Sequence, residues 1–134
     1  MQPDRTSENL AKFRLHQARE CLQDAQSSTV SLKNAANRSY YCIFNAMRAV
    51  QALDRFDSRK HSGVIDNFRK NYIRTNIFSR DFSDIIGSAF DVRLESDYED
   101  FYLVSKEEVA AQVKNAGIFL EAVEKYVGER IKNP

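Results

Sequence analysis

Proline is nearly absent: the 134 residues hold two, Pro3 and Pro134, both at the ends. Nothing interior therefore interrupts a helix. Four glycines are too few for the many turns of an all-β sandwich. No apolar run approaches the roughly 18 residues of a membrane span. The opening stretch MQPDRTSENL is polar and lacks the apolar core of a secretory signal, so the expected compartment is the cytoplasm. The two cysteines, Cys21 and Cys42, have no metal-ligand spacing and fall in helical apolar patterns, as reduced core thiols would. With only His16 and His61 as histidines, a metal site would draw mainly on carboxylates, and the helical Glu-x-x-His motif is missing. Glycine-rich phosphate loops, G-x-S-x-G, H-E-x-x-H and C-x-x-C are missing too. No metal and no cofactor is expected.

What is there is helical periodicity. With 43% hydrophobic and 29% charged residues the chain reads as one globular domain, 1–134. A first segment, about Thr6 to Gln26, carries Leu10, Phe13, Ala18, Cys21, Leu22 and Ala25 on one stripe, with Thr6 or Ser7 as N-cap. Ser27-Ser28-Thr29 ends it. A second, about Leu32 to Leu53, repeats Ala36, Tyr40, Ile43, Phe44, Met47, Val50 and Leu53 every three or four residues. A third, about His61 to Arg74, carries Val64, Ile65, Phe68, Tyr72 and Ile73 before a turn at Thr75-Asn76. A fourth, about Arg80 to Tyr98, carries Phe82, Ile85, Ile86, Ala89, Phe90 and Leu94, capped by Ser79 or Asp81. Ser105-Lys106-Glu107-Glu108 is a capping box opening the last segment, whose seam is Val109, Val113, Ala116, Leu120, Val123 and Val127. These patterns predict an all-α, up-and-down bundle of four to five helices.

The net charge of +1 hides a split. Residues 55–80 hold seven basic side chains against two acidic, and residues 81–108 hold nine acidic against two basic. The split fits a basic binding face, or more simply two segments that pair with each other. Three constellations could carry chemistry. His61 lies among Arg55, Arg59 and Lys60 where a helix begins; it is either a capping histidine or an acid–base group whose cationic neighbours depress its pKa and attract phosphate. His16, in mid-helix, reads as an ordinary surface or half-buried residue. Arg93 and Asp97, four apart on one helix face, form either a local salt bridge or, with Tyr98, part of a site. In the run 37–45, Tyr40 and Phe44 look like core, whereas Arg38, Tyr41 and Asn45 lie on another face that could line a groove.

The order of these elements is informative. A first helix precedes Arg-Ser-Tyr-Tyr-Cys-Ile-Phe-Asn-Ala (38–46). Lys60-His61-Ser62-Gly63-Val64 leads to Phe68, then Arg93-x-x-x-Asp97-Tyr98, then a last helix with Ala116-Gly117 before Phe119-Leu120. This arrangement resembles the HEPN family, the small helical domains of the higher eukaryotes and prokaryotes nucleotide-binding type, over about residues 8–130. The resemblance implies a bundle that forms a homodimer. Many relatives are paired with a small nucleotidyltransferase in toxin–antitoxin or defence modules, and others are metal-independent endoribonucleases. It implies RNA or nucleotide binding in a groove lined by His61, Arg93, Asp97 and Tyr98 as candidate catalytic residues, with Arg55, Arg59, Lys60, Arg38 and Tyr41 as candidate binding residues. The alternative is a non-catalytic module that docks a nucleotidyltransferase, with Tyr98 or Tyr102 receiving a nucleotide. The family's nuclease motif is Arg, four to six residues, then His, with a Tyr two residues later in some members. Aligning Tyr98 with that tyrosine puts Ser96 at the histidine position and Asp91 at the arginine position. The one Arg–His pair with the motif's spacing is Arg55 and His61, ahead of the third segment.

Overall fold

The computed structural model describes residues 3–98 and 105–132, and for residues 95–98 the backbone alone. Five α-helices follow in order: α1 (Arg5–Gln26), α2 (Leu32–Leu53), α3 (His61–Phe68), α4 (Asp81–Tyr98) and α5 (Lys106–Lys132). No strand occurs among the described residues, and none of their helices is long and apolar enough to cross a membrane. The third segment departs from the expected single helix. After Phe68 the backbone widens into a π-helical turn, Arg69–Ile73, in which the Arg74 amide donates to the Arg69 carbonyl at 2.9 Å. Asn76, at φ 65°, then reverses the chain where the turn is expected.

The caps explain the boundaries. Asp4, not Thr6 or Ser7, caps α1, its carboxylate accepting from the Ser7 amide at 2.7 Å; Ser7 is buried and Thr6 already helical. Ser31 caps α2 through the Asn34 amide at 3.1 Å, and Ser105 caps α5 through the Glu108 amide at 3.0 Å. Each such cap is worth about 1 kcal/mol.

Helix α2 is the centre of the bundle, packed by α1, α4 and α5. From Ser39 to Leu53 it is buried almost all round, which leaves it few polar positions. Tyr40, Ile43, Met47 and Val50 are fully enclosed, each apolar side chain contributing on the order of 2 kcal/mol. The α5 seam packs as its spacing predicts, with Val113 half-buried, and Phe119 joins it. Phe119 meets Phe68 and Phe82 with ring centroids 5.7 and 5.0 Å apart. Cys21 and Cys42 are buried free thiols.

Helix α1 corrects the predicted stripe. Leu10 and Phe13 are 40% and 53% exposed, and the buried face is Ser7, Ala11, Arg14, Ala18, Cys21, Leu22 and Ala25. The cause is Arg14, 5% exposed, which reaches across the interface. Its guanidinium donates to the Arg48 carbonyl at 3.1 Å and to the Asp57 carboxylate at 3.2 Å. Arg48 donates to the other oxygen of Asp57, also at 3.1 Å. One carboxylate thus ties the α2–α3 loop to both long helices.

Beyond Asp57, the Ser58 hydroxyl accepts from the Lys60 amide at 3.2 Å and lies against Gly63 in the first turn of α3. A Cβ at position 63 would collide with Ser58 Oγ and sit 3.2 Å from its Cβ. Glycine here admits a close approach. Alanine in an open helix position would stabilise by about 1 kcal/mol. At this site Gly63→Ala should instead destabilise by about 1 kcal/mol or more in urea unfolding. In a Ser58→Ala background the same change should be neutral or stabilising. An equal loss in both backgrounds would refute the contact.

Candidate active site

The loop clamp delivers His61 onto the aromatic part of α2. Its Nδ1 lies 2.7 Å from the Tyr40 hydroxyl. Its ring stacks on Phe44 at 4.2 Å between centroids and 26° between planes, and meets Tyr41 edge-on at 5.9 Å. Burial keeps the Tyr40 phenol protonated by raising its pKa. A phenol both donates and accepts, so Tyr40 can accept from Nδ1–H or donate to a bare Nδ1. Either tautomer of His61, and its protonated form, therefore has a partner there.

Helix α4 brings Arg93 to the same surface. Its guanidinium donates to the Tyr41 hydroxyl at 3.1 Å and lies 5.4 and 5.5 Å from the ring centroids of Tyr40 and Tyr41. Arg48 lies 5.9 Å from the Phe44 ring, and Arg38 is 5.3 Å from Tyr41. Such placements hold a guanidinium over a π-face while its edge stays available for hydrogen bonds. Burial first, then the positive charges of Arg93 and Arg48, depress the His61 pKa below its ordinary value. At neutral pH the imidazole is uncharged beside two permanent cations. Half-buried His61 and Arg93 share one surface although 32 residues separate them in sequence.

The other expected residues divide. Tyr41 and Arg38 join the cluster. Arg59 and Lys60 are exposed in the loop just before His61. Arg55 faces elsewhere: it pairs with Asp4 and borders a cavity of about 730 Å³ with Phe56, Tyr72, Tyr126 and Arg130. The Asp54 carboxylate of that cavity is already engaged by Arg130 at 2.9 Å and by Tyr72. It offers a closed hydrogen-bond network rather than a poised proton carrier. The side chains of Asp97 and Tyr98 lie outside the described residues, and so does the expected Arg93–Asp97 pair. Among the described residues no ion pair joins the basic 55–80 segment to the acidic 81–108 segment, so the pairing reading of the charge split gains no support. His16 is a surface histidine, 3.5 Å from Glu20. No group of three or more His, Cys, Asp or Glu able to hold a metal occurs among the described residues.

Tyr40 and Arg48 were not among the expected site residues. Tyr40 scores as core, and its hydroxyl partner is visible only in three dimensions. Arg48 was detectable: it lies four residues after Phe44 and eight after Tyr40, on the same helix face.

Comparison with known proteins agrees with this architecture. The sequence pattern of the HEPN domain matches residues 11–126. A "UPF0332 protein" of Thermotoga maritima is 29% identical over 122 residues, covering 90% of this chain and 92% of that one. "Putative toxin MJ0142" of Methanocaldococcus jannaschii is 31% identical over 93 residues, covering 69% of this chain and 63% of its own length. "Putative toxin MJ0605" of the same organism is 25% identical over 97 residues, covering 72% of each.

A histidine with a depressed folded-state pKa destabilises in acid. As pH falls below about 6.5 the unfolded chain protonates first, so the contribution of this group to stability declines until the folded pKa is passed. NMR titration of the imidazole should give a His61 midpoint below 6.5. Arg93→Gln should raise that midpoint part of the way back, because burial remains. A midpoint unmoved by the substitution would contradict the proximity of the two charges.

Proposed function

Because this chain belongs to the HEPN domain family, and has relatives named as toxins, we propose that it is the toxin of a toxin–antitoxin or defence module and cleaves RNA without a metal ion. The observation that carries this reading is the placement of the His61 imidazole, held by Tyr40 and Phe44, on one aromatic surface with the guanidinium groups of Arg93 and Arg48.

The chemistry follows from those groups. In metal-free cleavage the 2′-hydroxyl attacks the adjacent phosphorus, the bond to the 5′-oxygen breaks, and the products are a 2′,3′-cyclic phosphate and a 5′-hydroxyl. His61 takes the proton from the 2′-hydroxyl, or gives one to the leaving oxygen in its protonated form. Arg93 and Arg48 neutralise the charge that grows on the phosphoryl oxygens. Half-buried Tyr41 offers a ring on which a single-stranded base can stack. Arg38, Arg59 and Lys60 hold flanking phosphates. A homodimer would set two such clusters across one groove. Asp97 and Tyr98 enter as accessory groups, since an ordinary aspartate is too acidic and an ordinary tyrosine too basic to replace histidine at pH 7.

A second reading rests on a specific observation. With Tyr98 aligned to the tyrosine of the family's nuclease motif, Ser96 and Asp91 stand where that motif has its histidine and arginine. On that reading the chain is a non-catalytic dimer that docks a nucleotidyltransferase. The full-length chain incubated with single-stranded RNA in EDTA should yield cyclic-phosphate ends. His61→Ala should slow that reaction by about 10²–10⁴-fold, and Arg93→Ala by about 10²-fold or more, with both variants keeping the parent's helical circular-dichroism spectrum. Variants as active as the parent would refute the site. No cleavage, together with a tight complex with the neighbouring gene's nucleotidyltransferase, would favour the second reading.

A further inference from the structure

A second cationic site lies on the π-helical turn. Arg69, Ile73, Arg74, Asn76, Arg80 and Ser83 line a cavity of about 380 Å³ that has three guanidinium-bearing residues and no carboxylate in its lining. Five arginines outside it are matched by a carboxylate: Arg14 and Arg48 with Asp57, Arg19 with Glu124, Arg55 with Asp4, Arg130 with Asp54. Among the described residues Arg69, Arg74 and Arg80 make no such pair. The cavity is therefore a concentration of positive charge with no ion-paired carboxylate among the described residues.

The backbone builds this convergence. In an α-helix, residues five apart point roughly 140° away from each other. The wider π turn, closed by the Arg74 amide on the Arg69 carbonyl, brings positions 69 and 74 back toward one face. The left-handed Asn76 then folds the chain so that Arg80 borders the same space. Arg69 is held in place, donating through Nε to Ser83 Oγ at 2.9 Å and through Nη2 to the Ser83 carbonyl at 3.0 Å. The Ser83 hydroxyl, having accepted from Arg69, still has its own proton to donate. Arg74 and Arg80 are exposed and free to close on a ligand. One fixed and two exposed guanidinium groups with a hydroxyl donor are a donor set for phosphoryl oxygens.

We propose that this cavity is a phosphate-binding pocket, separate from the His61 surface, and that it holds a backbone phosphate of a bound RNA strand. The affinity for phosphate stands without the nuclease reading; the assignment to an RNA strand rests on that reading. Amide spectra of the isotope-labelled full chain test both. Titration with inorganic pyrophosphate should shift the amides of Arg74, Asn76 and Ser83 in the parent and leave them unmoved in an Arg74→Gln/Arg80→Gln variant. Both substituted side chains are exposed, so the variant should melt like the parent. Titration with 2′-O-methyl single-stranded RNA, which cannot be cleaved, should shift the same amides. The double variant should then lower the slope of log affinity against log salt by about 0.7, the value for one phosphate of a single strand. No pyrophosphate shift, or the same shift in the double variant, overturns the pocket. Shifts with pyrophosphate but not with RNA overturn the RNA assignment and leave a small-phosphate site. Loss of cleavage in His61→Ala with these shifts intact supports two separate sites, and a parent that cleaves nothing overturns the nuclease reading alone.

Discussion

The hydrogen bond between the Tyr40 hydroxyl and His61 Nδ1, 2.7 Å long, joins the enclosed centre of the bundle to the one histidine placed for chemistry. Tyr40 is itself fully buried, so its hydroxyl needs a partner inside the protein. The imidazole supplies it and is oriented in return. Everything around this bond holds the two ends in register. Asp57, gripped by Arg14 and Arg48, fixes the loop, and the Ser58–Gly63 approach seats the first turn of α3. Phe44 sets the tilt of the ring by stacking beneath it. An Arg14 buried in a helix interface is costly to desolvate; here its hydrogen bonds fix the loop that carries the histidine.

The same arginines do two things to His61. Without a ligand, Arg93 and Arg48 add to burial in keeping the imidazole uncharged. In the proposed reaction a phosphate would neutralise part of that positive field, and the histidine would become easier to protonate once the substrate is bound. A group that starts as a base and is helped to become an acid suits a cleavage that moves one proton on and another off. Tyr40 can accept from Nδ1–H or donate to bare Nδ1, so the ring can make that change without turning.

Much of the bundle was legible in the chain. The α2 boundaries, the serine cap of α5 and the turn at Asn76 follow from spacing and cap chemistry. The face of α1 was misread because Leu10 and Phe13 outrank an arginine in any apolar pattern, and only Asp57, brought in from a distant loop, makes burial of Arg14 tolerable. The widened turn after Phe68 leaves no periodic trace over five residues. His61 and Arg93 were both visible as candidates. Arg55 alone has the family motif's spacing from the histidine, yet the fold sends Arg55 to Asp4 and brings Arg93, which the sequence reading groups with His61, from α4. Partnership across helices is a property of packing, and motif spacing along one stretch of chain does not report it. The parts assigned to Asp97 and Tyr98 rest on the sequence alone.

The account turns on one phosphate being shared by the histidine and the α4 arginine. A crystal structure of the chain with a short RNA carrying a 2′-O-methyl group at the cleavage position tests this directly. The account predicts a phosphodiester contacting the Arg93 guanidinium, with the blocked 2′-oxygen within hydrogen-bonding distance of His61 Nε2 and a base against Tyr41. An RNA strand that leaves the Tyr40–His61–Arg93 surface empty would contradict it.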